Sequence, residues 1–85
     1  MTIGVVVFVS RNGGMVVVQH DQGFTLLELL GGEGEIERGD RLRGRWMSLG
    51  GESILKDGYA YDVFVQNIYG QINAAVLAAR QMGGG

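Results

Sequence analysis

The sequence predicts a small, mainly β protein: a five-stranded barrel followed by one C-terminal α-helix. Three features carry that expectation. Runs of β-branched and aromatic residues are separated by Asn-Gly, Asp-Gln-Gly and Asp-Gly, the punctuation of hairpins. From Asn67 onward the apolar spacing changes to a three-and-four pattern in an alanine-rich stretch. With 85 residues, 46% hydrophobic and 19% charged, the chain is long enough for one core and too apolar to stay unfolded.

The first strand is Ile3 to Val9 (IGVVVFV), where side chains stiff at χ1 favour a pleated strand over a helix. Asn12-Gly13 predicts a two-residue type I′ turn into a second strand, Met15 to His20, pairing Val9 with Val16, Phe8 with Val17 and Val7 with Val18. Asp21-Gln22-Gly23 predicts a three-residue loop into the third strand, Phe24 to Leu30. After the break at Gly31 to Gly34, the fourth strand is expected over Arg41 to Ser48, where charged and apolar residues alternate. Leu49 to Asp57 is expected as a loop with a brief extended piece, and Lys56-Asp57-Gly58 turns into the fifth strand, Tyr59 to Gln66. The helix is expected from about Ile68 to Met82; Gly70, costing about 1 kcal/mol relative to Ala, moves its start as late as Gly70 or Gln71. Residues 1–82 then form a single domain, and Gly83 to Gly85 a flexible tail.

Composition removes several functions. Without cysteine there is no disulfide, thiolate ligand or thiol nucleophile, and a single histidine cannot build a multi-ligand zinc site, so no cofactor is expected. His20 beside Asp21 has no serine in a recognisable nucleophile motif to activate, and Gly31-Gly32-Glu33-Gly34 lacks the Lys-Ser/Thr of a phosphate loop. The expectation is a protein that is not an enzyme. The N-terminal apolar run breaks at Ser10-Arg11-Asn12 and has no basic flank, which points to a cytoplasmic protein without a membrane span.

The first three strands are apolar on both faces. In the expected register Ile3, Val5, Val7, Val9, Val16 and Val18 share one face with Phe24 and Leu26, while Val6, Phe8, Met15, Val17, Leu27 and Leu29 share the other. A small barrel has one interior, and one helical stripe covers only part of a second apolar face. The set Val6, Phe8, Met15, Val17, Leu27 and Leu29 is therefore expected as an interface between copies, making the chain a homo-oligomer.

Two short motifs carry a family resemblance. Ile36, Gly39, Asp40 and Leu42 form an aliphatic-x-x-Gly-Asp-x-aliphatic segment ahead of the fourth strand, and Asp62-Val63-Phe64-Val65-Gln66 is similar to an Asp-Val-Phe-Val-His strand. The first resembles S1-like and the second cold-shock-like members of the OB-fold, a five-stranded Greek-key barrel. The resemblance covers about 60 residues in architecture. The companion Lys-Gly-Phe-Gly-Phe motif is missing, and the matched strand falls last rather than third. The resemblance implies a base-stacking role for Phe64, which the residues alone place equally well in the core; an SH3-like barrel is the other architecture with such strands.

Arg38, Arg41, Arg43 and Arg45 are four of the seven cations. On a strand, Arg41, Arg43 and Arg45 project in a row about 6.6 to 6.8 Å apart, near the phosphate spacing of a nucleic-acid strand, with Leu42 and Trp46 opposite. The row fits phosphate binding. It also fits an edge strand guarded by charge, with the arginines paired to Glu33, Glu35, Glu37 or Glu52. Tyr59 and Tyr61 share a face, continued by Val63 and Val65, that is either core or interface or a stacking platform for single-stranded nucleic acid, and Phe64 is a further candidate stacker. The function expected is single-stranded nucleic-acid binding, and the alternative a homo-oligomeric interaction module.

Overall fold

The computed structural model describes residues 1–83. Six strands, β1 (Thr2–Val9), β2 (Met15–His20), β3 (Gly23–Leu29), β4 (Arg41–Gly44), β5 (Gly50–Lys56) and β6 (Tyr59–Tyr69), precede one helix, α1 (Ile72–Gly83). The strands close a barrel in the order β1-β2-β3-β6-β5-β4, and every neighbouring pair is antiparallel. Two three-stranded meanders are thus joined by the segment 30–40 and sealed along β3–β6 and β1–β4. The mainly β barrel with a C-terminal helix is as expected, and its closed antiparallel form is compatible with an OB-like barrel.

Six strands stand where five were expected because Gly50–Lys56 is a full strand along β6, with Gly50 paired to Val65 and Lys56 to Tyr59. Its glycine-rich start hides the pattern, and Gly50 itself sits at φ 93°. β4 ends at Gly44 rather than Ser48, since the chain turns there to bury Trp46, whose Nε1–H donates to the Thr2 carbonyl at 3.0 Å. β6 runs on to Tyr69, so Ile68 pairs with Thr25 in the sheet and the helix begins only at Ile72. Gly83, expected in the tail, is the last residue of α1 and is buried against Ser10; Gly84 and Gly85 lie outside the described residues.

The two turns of the first meander differ from expectation in ways that reset the faces. Asn12-Gly13 is not a type I′ pair, because Asp57 is the one non-glycine residue at positive φ among the described residues. Arg11–Gly14 is instead a four-residue loop, with Gly13 N–H donating to the Ser10 carbonyl at 2.8 Å and Asn12 Oδ1 accepting from Gly14 N–H at 2.9 Å. Val9 pairs with Val16 and Phe8 with Val17 as expected, but a bulge at Val7 brings Val6 opposite Val18. At the second turn His20 pairs with Gly23, leaving a two-residue loop and shifting β3 by one position, so that Leu27 faces Val16. The type I′ signature belongs to Asp57-Gly58, at φ 51° and 85°, joining β5 to β6.

These shifts decide what is inside. Val6, Val16, Val18, Leu27, Leu29, Leu42, Ile54, Val63 and Val65 fill the barrel, with Ile36 and Trp46 buried among them. Outside, α1 lays Ala75 and Ala79 on Met15, Val17 and Leu26, bordered by Val7, Phe8, Phe24 and Tyr69. The expected interface is corrected accordingly: Val6, Leu27 and Leu29 are barrel core, Met15 and Val17 lie under the helix, and Phe8 is half-buried at its edge. The apolar face that Met15, Val17 and Leu26 present outside the barrel is covered by α1 of the same chain.

Candidate functional site

The helix packs on β2, β3 and β6, which leaves the opposite wall, built from β4, β5 and the start of β6, open to solvent. β4 alternates as expected: Arg41 and Arg43 are exposed while Leu42 and Gly44 are buried. The strand cannot lengthen its inner face with a side chain at Gly44, where a Cβ would meet the Trp46 ring at 2.8 Å. Arg41 lies beside Val5, and Arg43 lies between Ile3 and Leu55. Ile3, Leu55 and the two arginines line a groove of about 430 Å³ together with Asp57 and Gly58 of the type I′ turn.

β4 is paired on both sides, to β1 and to β5, so it is not an edge strand whose arginines guard against aggregation. Nor are the glutamates their partners. The ion pairs among the described residues are His20–Asp21 and Lys56–Asp40, and neither contains an arginine. Glu35 accepts from the Tyr61 hydroxyl at 3.0 Å, and Glu52 from the Ser48 hydroxyl at 2.8 Å. Arg41 and Arg43 thus stand on outward positions about 6.8 Å apart along the strand, with no carboxylate of the described residues within 4.0 Å.

The remaining predicted residues do not join a single row. Arg38 is exposed in the turn before β4, where Glu37 N–H donates to Asp40 Oδ2 at 2.8 Å and Gly39 sits at φ 94°. Arg45 follows the end of β4 and borders a different hollow, of about 370 Å³, with His20 and Trp46. Tyr59 and Tyr61 share a face as expected, but only Tyr59, 72% exposed beside the Asp57-Gly58 turn, offers a free ring. Tyr61 packs against the core and under Gly32, its hydroxyl donating to Glu35. Phe64 is exposed on the outer wall between Glu28 and Gly51, four residues along β5 from the partner of Arg43.

The Gly-Asp motif builds the approach to the groove. Gly39 N–H donates to the Val6 carbonyl at 2.8 Å, and Val6 N–H donates to the Asp40 carbonyl at 2.9 Å, extending the β1–β4 ladder through the bulge. Asp40 takes Lys56 Nζ at 2.8 Å, and Lys56 also donates to the Glu35 carbonyl at 2.6 Å. Burial works to raise the Asp40 carboxyl, but its bonds from Lys56 and Glu37 N–H outweigh that and hold it below the usual range. The Lys56 ammonium is raised chiefly by its bond to Asp40, and the Tyr61 phenol chiefly by its bond to Glu35. These contacts fasten the 30–40 segment across the barrel end, with Ile36 buried beneath it.

Sequence reasoning missed Ile3, Leu55 and Asp57 as groove residues. The Asp57-Gly58 turn signal was present, but only a β5 strand brings it alongside Arg41. Among the described residues no group of three or more His, Asp or Glu side chains could hold a metal ion, and no helix is long and apolar enough to cross a membrane. Compared with known proteins, the chain matches no family model, no curated protein and no solved structure.

Proposed function

We propose that this chain is a cytoplasmic, cofactor-free binding module, not an enzyme, that takes single-stranded nucleic acid along the β4–β5 wall. The observation that carries the proposal is the pair Arg41 and Arg43, exposed on a strand paired on both sides and, among the described residues, free of carboxylate partners. Guanidinium groups on successive outward positions suit successive phosphates, and the apolar floor at Ile3 and Leu55 suits sugar edges. Tyr59, directly after the Asp57-Gly58 turn that lines the groove, supplies an exposed ring, and a ring of that kind takes an unstacked base, which favours a single strand over a duplex. Arg38, exposed in the turn before β4, adds a cation close by in sequence but outside the groove lining. The Ile36-to-Leu42 motif, which forms the entry to β4, supports the finer S1-like resemblance, and the outward Phe64 is consistent with the cold-shock-like one.

The test is fluorescence polarisation of labelled single-stranded DNA and RNA across a salt series. Arg41→Ala and Arg43→Ala should each lower the magnitude of the log–log salt slope by about 0.7, the counterion equivalent of one phosphate on a single strand. Tyr59→Ala should weaken binding by about 1 to 3 kcal/mol without loss of fold. Failure of the wild type to bind at low salt overturns the proposal. Self-association that added salt leaves unchanged would favour the interaction module instead, through exposed Ile3, Leu30, Met47, Leu49 and Phe64.

A further inference from the structure

At the barrel end away from the Asp57-Gly58 turn, the imidazole of His20 is enclosed, its side chain only 1% exposed. It stacks on Trp46, ring centroids 6.3 Å apart and planes 19° from parallel. Its Nε2 lies 2.8 Å from Thr25 Oγ1, and that hydroxyl donates to the Trp46 carbonyl at 2.6 Å. A hydroxyl carries one hydrogen, so with Thr25 committed to Trp46, Nε2 must be the donor to Thr25. Nδ1 is then the bare nitrogen, and it accepts Gln22 N–H at 3.3 Å. Each polar atom in the chain Gln22, His20, Thr25, Trp46 is matched by the neutral Nε2–H tautomer and by no other form.

We propose that His20 is a proton-operated latch: uptake of a proton from solvent at Nδ1 drives the ring from under Trp46 and unfastens residues 45–49 from the β2–β3 hairpin. A proton on Nδ1 faces the Gln22 N–H head-on, donor against donor, and leaves an enclosed cation whose Nε2–H still reaches Thr25 Oγ1 but whose Nδ1–H has no acceptor in bonding range. Three residues that carry charge border its hollow. Asp21 on the hairpin is the one favourable partner, at 3.9 Å and 78% exposed, beyond hydrogen-bond reach unless the ring moves outward. Arg45, from the segment after β4, and Met1, at the chain start, line the same hollow and bring no negative charge to it. Burial lowers the imidazole against the smaller raising effect of Asp21, in keeping with a ring held neutral. Trp46, the one buried side chain of 45–49, is held by its carbonyl bond to Thr25 and its indole bond to Thr2. The departing ring removes both the stack on the indole and the Nε2–H that holds the Thr25 hydroxyl turned toward the Trp46 carbonyl, which loosens the segment there.

Trp46 is the sole tryptophan, so its fluorescence reports the latch directly. On the full chain, the proposal expects a Trp46 emission transition with a midpoint below 6.5, the ordinary imidazole value. The Gln22, Met47 and Ser48 amides should shift at the same midpoint in nitrogen–proton correlation spectra. Amide exchange over residues 47–49, corrected for intrinsic rates, should rise at least tenfold below it. His20→Gln should abolish the transition. Nitrogen-15 spectra of the wild-type imidazole at mildly alkaline pH should show the Nε2–H tautomer, a readout that does not depend on the variant folding. The proposal is overturned by an Nδ1–H tautomer, by a midpoint at or above 6.5, by a transition that survives His20→Gln, or by titration of the ring without movement of the Met47 and Ser48 amides.

Discussion

Three glycines at positive φ form a graded test of how the barrel is closed. Gly58 sits at φ 85° in the β5–β6 turn, and a Cβ there would meet nothing within 4 Å. Gly58→Ala should therefore cost only the backbone penalty for a left-handed residue, about 1 to 2 kcal/mol. Gly13, at φ 78°, carries nearly the same backbone penalty, but its Cβ would lie 3.0 Å from the Gly34 backbone nitrogen. The neighbouring segment is pinned by the bonds of Gly39 to Val6 and Lys56 to Glu35, so it yields with difficulty, and Gly13→Ala should cost about 2 to 4 kcal/mol. Gly23, at φ 133°, would press a Cβ to 2.5 Å from the Tyr69 carbonyl, within the β3–β6 seam that closes the barrel. Gly23→Ala then has to part Phe24 from Tyr69, for about 3 to 5 kcal/mol. A chain of 85 residues has about 4 to 13 kcal/mol of stability in all, so the last substitution removes a large share. Urea midpoints at constant m measure all three on one scale. A Gly23→Ala midpoint no lower than that of Gly58→Ala would refute the close approach at the β3–β6 seam, and equal midpoints for Gly13→Ala and Gly58→Ala would refute the resting of the first hairpin on the 30–40 segment.

Further outcomes follow from other contacts. Asp40 is held below its usual range in the fold, so its contribution to stability is complete above about pH 3.9 and is lost as pH falls through its folded value; Asp40→Asn should flatten the acid limb of the stability curve, read by melts across pH. His20 is lowered in the fold, so its contribution is complete above about pH 6.5 and declines as pH falls toward its folded value, and His20→Gln should remove that decline from the same melts. Ala79→Asp sets a carboxylate into the fully buried helix–barrel contact and should release α1, exposing Met15, Val17 and Leu26, whose burial is worth about 1.5 to 3 kcal/mol each; light scattering should then show association beyond that of the wild type. Arg80→Gln removes a guanidinium 5.4 Å from the centre of the Phe8 ring and should lower stability by about 0.5 to 1 kcal/mol in urea titration.

Elements were more legible than registers. Met15 to His20 was read without error because its β-branched run is bounded by a glycine turn on one side and Asp21 on the other. Which way its neighbours point was not legible, because two single-residue events decide it: the bulge at Val7 and the pairing of His20 with Gly23. Side chains alternate with period two, so each event exchanges the inner and outer faces of a strand. That is how Val6 and Leu27 came to be expected at an interface while filling the barrel, and how Leu26 was expected with Val16 while lying under α1. At the candidate site the alternation Arg41, Leu42, Arg43, Gly44 was legible because it is local. The departure of Arg45 was not, since it depends on Trp46 finding the barrel interior and the distant Thr2 carbonyl.

The covering of the second apolar face shows why a count of apolar residues on a helix misjudges what that helix can bury. α1 offers the barrel mainly Ala75, Ala79 and the buried Gly83, which together carry little apolar surface. Their smallness is what does the covering. With no long side chain in between, the helix axis comes close to the sheet, and the bulky groups are supplied from the other side by Met15, Val17 and Leu26, with Phe8, Phe24 and Tyr69 at the margins. At Gly83 the approach is so close that a Cβ would lie 2.6 Å from that of Ser10, in the loop that also holds the first hairpin together. The surplus of large residues on one partner and the deficit on the other are therefore halves of one contact. An apolar face on a strand points to a second copy only after the small-residue face of every helix in the same chain has been offered to it.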